Sequence, residues 1–231
     1  MAAAGHDVTR IEAFSDAVFG FAITLLVVSL EVPDDFDALV QILRGLPLFA
    51  ITFAVLLNVW QEHHTFFRRF GRSDGVTIWL NGALLFVVVA YIYPLKFLFA
   101  VIAGPKGLVL NGGTTSMLRP EQFVTLLLVY GIGYVTIFTI FAVLYRRAAT
   151  RAVDAGDRQT ALKGIGHSFV YVGIGVLSMA IAFCGGPSKV GLAGMSYGLL
   201  GPAHGLYRWM LGRRERRAAV TPPERPESAS S

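Results

Sequence analysis

The sequence predicts an all-α integral membrane protein: a six-transmembrane-helix bundle with both termini in the cytoplasm. Three observations predict it. Hydrophobic residues make up 54% of the 231 positions and charged residues only 15%, against about 25% charged in a typical soluble domain. The apolar residues gather into six stretches, each near the ~20 residues that a helix needs to cross a bilayer. The Lys and Arg residues fall between those stretches with a strong bias to one side, fifteen against three, with Arg44 and Lys96 inside or at the edge of spans. Such a bias marks the cytoplasmic side, and an even number of crossings returns the chain to it.

The first span, 11–32, opens with Glu12, Ser15 and Asp16, just after Arg10. An ionisable group inside a span costs roughly 2.5–3.5 kcal/mol on insertion scales. Asp16 lies about 9 Å past Arg10 along a helix axis, too deep for so short a side chain to reach the headgroups, so it faces protein or water. Beyond it Phe21, Thr24, Leu25 and Val28 recur at i, i+3, i+4 and i+7, one stripe of a helix. In a single bundle that stripe is a packing seam. Around an axis of several copies it makes apolar rings with one ring of hydroxyls, a constriction that gates by dewetting.

The connection to the second span carries Glu31, Asp34, Asp35 and Asp37. These read as solvated carboxylates and helix caps, or as a cation-attracting mouth. The second span, 39–61, is interrupted by Arg44 and Pro47 and runs into Glu62, His63 and His64. Adjacent histidines point about 100° apart on a helix and do not share a metal as an i, i+4 pair does. They read as a structural polar pair, or as a pH-responsive one. The third span, 76–103, holds Asn81 near its start and Pro94 near its middle. The loop that follows carries Asn111-Gly112-Gly113, the mark of a turn-rich external connection. The fourth span is 123–145 and the fifth 165–184, which ends on the only cysteine, Cys184, expected to be a packed thiol. The sixth, 190–211, is glycine-rich, with Gly194 and Gly198 spaced for close helix packing. The segment 213–231 is basic, then rich in Pro, Glu and Ser, and is expected to be a disordered tail.

The net charge of +5 lies in juxtamembrane runs, which argues for topology and against nucleic acid as a partner. The chain carries no phosphate-cradling glycine loop, no G-x-S-x-G elbow and no H-E-x-x-H, so no enzyme, cofactor or metal site is expected. The polar start followed by a span-length apolar stretch reads as a first helix and not as a cleavable leader.

Arg10, Phe14, Ser15 and Asp16 form R-x-x-x-F-S-D, followed by A-V-F-G-F-A-I-T-L-L-V. This resembles the first-helix signature of the transmembrane protein 175 family, lysosomal potassium channels and their bacterial relatives. Trp60, His63 and His64 in W-x-x-H-H-x-x-F, with Asn81 and Pro94, are similar to further family patterns. The resemblance extends to about residue 212. It implies a bacterial type of subunit with one six-helix repeat, assembled as a homotetramer in the cell membrane, with the first helix lining the pore and no T-V-G-Y-G filter. The family's constriction lies five residues after the motif aspartate, which falls on Phe21, with Thr24 three residues further and Leu25 and Val28 on the same stripe. Phe21 departs from the Ile or Leu usual there. The resemblance further implies that the motif residues Arg10, Phe14, Ser15 and Asp16 tie the first helix to its neighbours, with Trp60, His63, His64 and Asn81 as partners. The expected function is a passive potassium-permeable cation channel whose partners are copies of itself, the lipid bilayer and monovalent cations. The alternatives are a proton-coupled carrier using Asp16 and the histidines, and a membrane scaffold.

Overall fold

The computed structural model describes residues 10–27, 35–71, 74–103 and 119–220. Seven α-helices occupy them: α1 (Arg10–Val27), α2 (Phe36–Phe70), α3 (Gly75–Ala103), α4 (Pro120–Arg151), α5 (Ala155–Gly185), α6 (Val190–Met195) and α7 (Leu200–Val220). Single 3₁₀ turns, Pro187–Lys189 and Ser196–Leu199, flank α6. Glu31, Asp34 and the loop with Asn111-Gly112-Gly113 lie outside the described residues. Asp37 is exposed in the first turn of α2, where a carboxylate favours the positive end of the helix dipole.

By length and composition, Gly75–Leu95, Glu121–Arg151 and Ala155–Gly185 are each able to cross a membrane. Several helices overrun the stretches that hydropathy marks. α2 continues to Phe70 and α5 begins at Ala155: past the apolar stretch, Phe66 and Phe70 of α2 pack edge-on against Tyr145 of α4, and tertiary packing of this kind overrides weak propensity. Pro47 sits inside α2 without ending it, as membrane helices tolerate.

The core is an aromatic and aliphatic cluster in which Phe19 and Ala22 of α1 meet Leu56, Val59 and Phe66 of α2, Leu84, Val88 and Ile92 of α3, and Phe138 and Phe141 of α4. α4 and α5 form an antiparallel hairpin. Phe138 stacks on Tyr171 at 3.8 Å with the planes 8° apart. The two helices approach closely because Gly131 and Gly175 leave room: a Cβ on Gly175 would lie 2.8 Å from Val135. α3 closes on α4 in the same way, with the Tyr91 ring in the space that a side chain on Gly133 would fill. Tyr91 and Tyr130 donate to the carbonyls of Val129 and Pro94 across that seam.

The α2–α3 turn is fastened to the α4–α5 turn by charge. Asp74 accepts from the Thr77 hydroxyl and pairs with Arg147 and Arg151, each at 2.9 Å. Arg69 reaches Asp157 at 3.0 Å. The Thr77 hydroxyl, then the two guanidiniums, hold the Asp74 carboxyl well below the usual carboxylate range. Asp154 caps α5 by accepting from the backbone N–H of Gly156 and Asp157, the usual role of an N-cap carboxylate.

Three expectations are corrected. The stretch 190–211 is not one helix: it breaks at Ser196–Leu199 between α6 and α7. Gly191, Gly194 and Gly198 each weaken the helix by about 1 kcal/mol relative to alanine, and a tighter turn takes over. The segment from 213 is helical as far as Val220, since Arg, Glu and Ala are strong helix formers whatever their charge; residues 221–231 lie outside the described residues. Cys184 is exposed and not packed, because it shares the outward side of the α5 terminus with Phe183, itself 76% exposed.

Candidate pore helix and its polar anchor

α1 has two sharply different sides. Ser15, Phe19, Ala22 and Leu26 are each no more than 1% exposed and face the bundle. Phe14, Ala17, Gly20, Phe21 and Thr24 form the opposite, exposed side, with Phe14 63% and Phe21 58% exposed. The Thr24 hydroxyl donates to the Gly20 carbonyl at 2.9 Å, so that only its acceptor lone pairs remain for anything beside the helix. Leu25 is half-buried and packs against the core. It departs from the stripe because i, i+3 and i+4 positions span an arc of a helix, and its far edge has turned inward. Val28 lies outside the described residues.

The buried side is tied to α2 and α3 by a short relay of hydrogen bonds. Asn81 donates from Nδ2 to the Ser15 Oγ at 2.9 Å, and its Oδ1 meets His63 Nε2, also at 2.9 Å. Ser15 Oγ itself donates to the Ile11 carbonyl at 2.8 Å. All three side chains are at most 3% exposed. Since the amide oxygen of Asn81 only accepts, His63 must carry its proton on Nε2. The His63 ring stacks on Phe67 at 4.3 Å and leans on Phe19 at 5.5 Å. At the exposed rim, Trp60 Nε1 donates to Asp16 Oδ1 at 2.8 Å, and His64 stacks on Trp60 at 5.5 Å. Thus Ser15, Asp16, Trp60, His63, His64 and Asn81 are brought together. Arg10 and Phe14 are exposed and stand outside this set among the described residues.

A second polar cluster joins α2, α5 and α7. Glu62 Oε1 meets His167 Nε2 at 2.8 Å, and the His167 ring lies 4.3 Å from that of His204. Sequence reasoning named Glu62 but found no partner for it, because 105 positions separate the pair. Among the described residues, no group of three His, Cys, Asp or Glu side chains is arranged to hold a metal.

Comparison with known proteins bears on this helix directly. The family model described as endosomal/lysosomal potassium channel TMEM175 matches residues 10–91, a segment that contains every residue of the α1 stripe and its anchor. The crystal structure of the potassium channel MtTMEM175, a T38A variant in complex with a nanobody–MBP fusion, superposes with a TM-score of 0.75 at 30% identity, over 92% of this chain and 97% of that one. The chain belongs to the transmembrane protein 175 family. A lysosomal potassium-selective channel TMEM175 homologue from Chamaesiphon minutus also superposes, with a TM-score of 0.62 at 27% identity, over 86% of this chain and 96% of that one. A relative from Marivirga tractuosa named "Potassium channel" is 43% identical over 62% of this chain, and the match spans 60% of that relative's length. A potassium channel of Chamaesiphon minutus is 30% identical over 68% of this chain and 71% of its own. The protein is membrane-embedded, and the secondary structure of its described residues is helical.

Proposed function

We propose that the protein is a potassium-permeable cation channel: four copies surround an axis, and α1 of each lines the pore. The observation that carries this is the two-sided α1. Its inner side is held to α2 and α3 by buried hydrogen bonds, while its outer side presents an exposed Phe21 and an exposed, acceptor-only Thr24. A lone helix in lipid gains nothing from a hydroxyl layer. Around an axis, that layer offers oxygen dipoles to a partly dehydrated cation, and the Phe21 ring makes an apolar constriction in place of a carbonyl filter. The name shared by the relatives supports potassium as the permeant ion.

In this reading the chain crosses the membrane six times, through α1 to α5 and the broken stretch of α6 and α7, with both termini in the cytoplasm. The basic turns at Arg68–Arg69 and Arg146–Arg158 then lie on the cytoplasmic side. The Ser15–Asn81–His63 relay, with Asp16 and Trp60, sets the rotation of α1 about its own axis, and so which residues meet the pore.

The test is flux of K⁺, and separately of Na⁺, through proteoliposomes containing the purified protein, repeated with Phe21→Ala. Flux that favours K⁺ and rises severalfold when Phe21 is trimmed supports the channel. Saturable flux that requires a pH gradient would assign a carrier instead, and no flux from folded oligomeric protein would assign a scaffold.

A further inference from the structure

α7 runs from Leu200 to Val220 and is fastened to α5 near its middle, where the Tyr207 hydroxyl donates to the Lys163 carbonyl at 2.9 Å. Its outward side is open at the positions the structure describes. Leu206, Trp209 and Met210 are 55%, 50% and 45% exposed, and the Arg213 guanidinium lies 4.0 Å over the Trp209 ring. These positions, with Arg217, recur at i, i+3, i+4, i+7 and i+11 and share one helix face. Along that face apolar and aromatic residues give way to basic ones, as on a helix that passes from hydrocarbon to headgroups.

Charge balance separates this end of α7 from the other basic segments. Arg69, Arg147 and Arg151 are each paired with an aspartate. The final turns of α7 hold Arg213, Arg214, Arg216 and Arg217 against the single acid Glu215. A cluster of four basic residues at the end of a helix whose preceding turns present apolar side chains is attracted to anionic lipid, and the guanidinium fork matches a phosphate oxygen pair. We infer that the last turns of α7 are a binding site for the headgroups of anionic phospholipids, with Trp209 seated at the interface beside Arg213. The inference rests on membrane embedding and not on ion permeation, so its test reads no current.

The experiment compares dissociation constants of phosphatidylglycerol and phosphatidylcholine with matched chains, measured by native mass spectrometry on the full-length protein in detergent. The wild type should bind phosphatidylglycerol at least tenfold more tightly. Replacing all four arginines by glutamine should erase that preference, whereas replacing all four by lysine should keep most of it. Equal affinity for the two lipids in the wild type overturns the inference, as does a monodisperse glutamine variant that keeps the preference. If both variants lose it alike, the charges do not make the site and the inference fails. Competition by millimolar inorganic phosphate would assign the site to free anion and likewise overturn it.

Discussion

Asn81 has two jobs that a shorter side chain cannot share. Its amide donates to Ser15 and accepts from His63 in a region closed to water. Replacing it with leucine leaves the buried His63 Nε2 without its acceptor, at about 1–3 kcal/mol, and leaves the Ser15 hydroxyl only its bond to the Ile11 carbonyl. The Asn81→Leu variant should therefore lose several degrees of thermal stability in detergent, read by the melting of its size-exclusion peak, while Asn81→Asp should retain part of the relay. Asp16 is a different case, because it is exposed and holds only Trp60 in the described residues. Asp16→Asn keeps an acceptor for the indole and removes the charge, and is expected to impair assembly or flux; normal oligomers with unchanged flux would refute that role. Asp16 stands out in the sequence because an ionisable residue inside a span must face protein or water, whereas Trp60, His63, His64 and Asn81 are implied as partners of α1 only by the family resemblance. The half-buried setting of Leu25 was not legible, because periodicity defines an arc of a helix but not which edge of the arc meets the neighbouring helix; the exposure of Phe14 was not legible either, because a sequence motif carries no side-chain direction.

Between elements, the junctions that matter are the ones where backbones come close or charges pair. The Tyr91 ring occupies the space above Gly133, so Gly133→Ala must displace the ring and break its bond to the Val129 carbonyl. The expected cost is about 1–3 kcal/mol, typical of overpacking, measurable as a lower melting temperature. Asp74 fastens two helical turns to each other, and its folded pKa is depressed by Thr77 and by Arg151 and Arg147. A depressed carboxyl stabilises the fold above its unfolded pKa of about 3.9 and loses that contribution as the pH falls through and below that value. Asp74→Asn should be less stable than the wild type at pH 7 and should flatten the fall in stability below about pH 4; parallel melting curves for the two proteins would exclude the clamp. Helix continues past the ends of the apolar stretches, as at Phe70, Ala155 and Val220, because hydropathy reports where apolarity stops and not where the backbone leaves the helix. Hydropathy also overlooked the break before α7, where repeated glycine lowers propensity without changing mean apolarity. The contact of Glu62 with His167 is a product of tertiary packing, and no local pattern encodes it.

At the scale of the whole assembly, the proposal makes Thr24 accessible from an aqueous pore and Ala22, fully buried, inaccessible. With Cys184 changed to serine, Thr24→Cys should be blocked by a cationic thiol reagent within minutes, and Ala22→Cys should not; equal reactivity would place α1 elsewhere. The way Thr24 spends its proton carries a further consequence. With the hydroxyl hydrogen committed to Gly20 on the same helix, a layer of these groups is a fixed sheet of dipoles with its negative ends inward and bears no net charge. An acidic vestibule, such as Asp35 and Asp37 would provide, loses its hold on cations as added salt shortens the Debye length from about 10 Å at 0.1 M to about 3 Å at 1 M. A dipole in direct contact with the ion is not screened in that way. The preference for potassium over chloride, read as reversal potential in a fixed-ratio KCl gradient, should therefore survive molar salt, and it should weaken in Thr24→Val, which keeps the shape of the side chain and removes its oxygen.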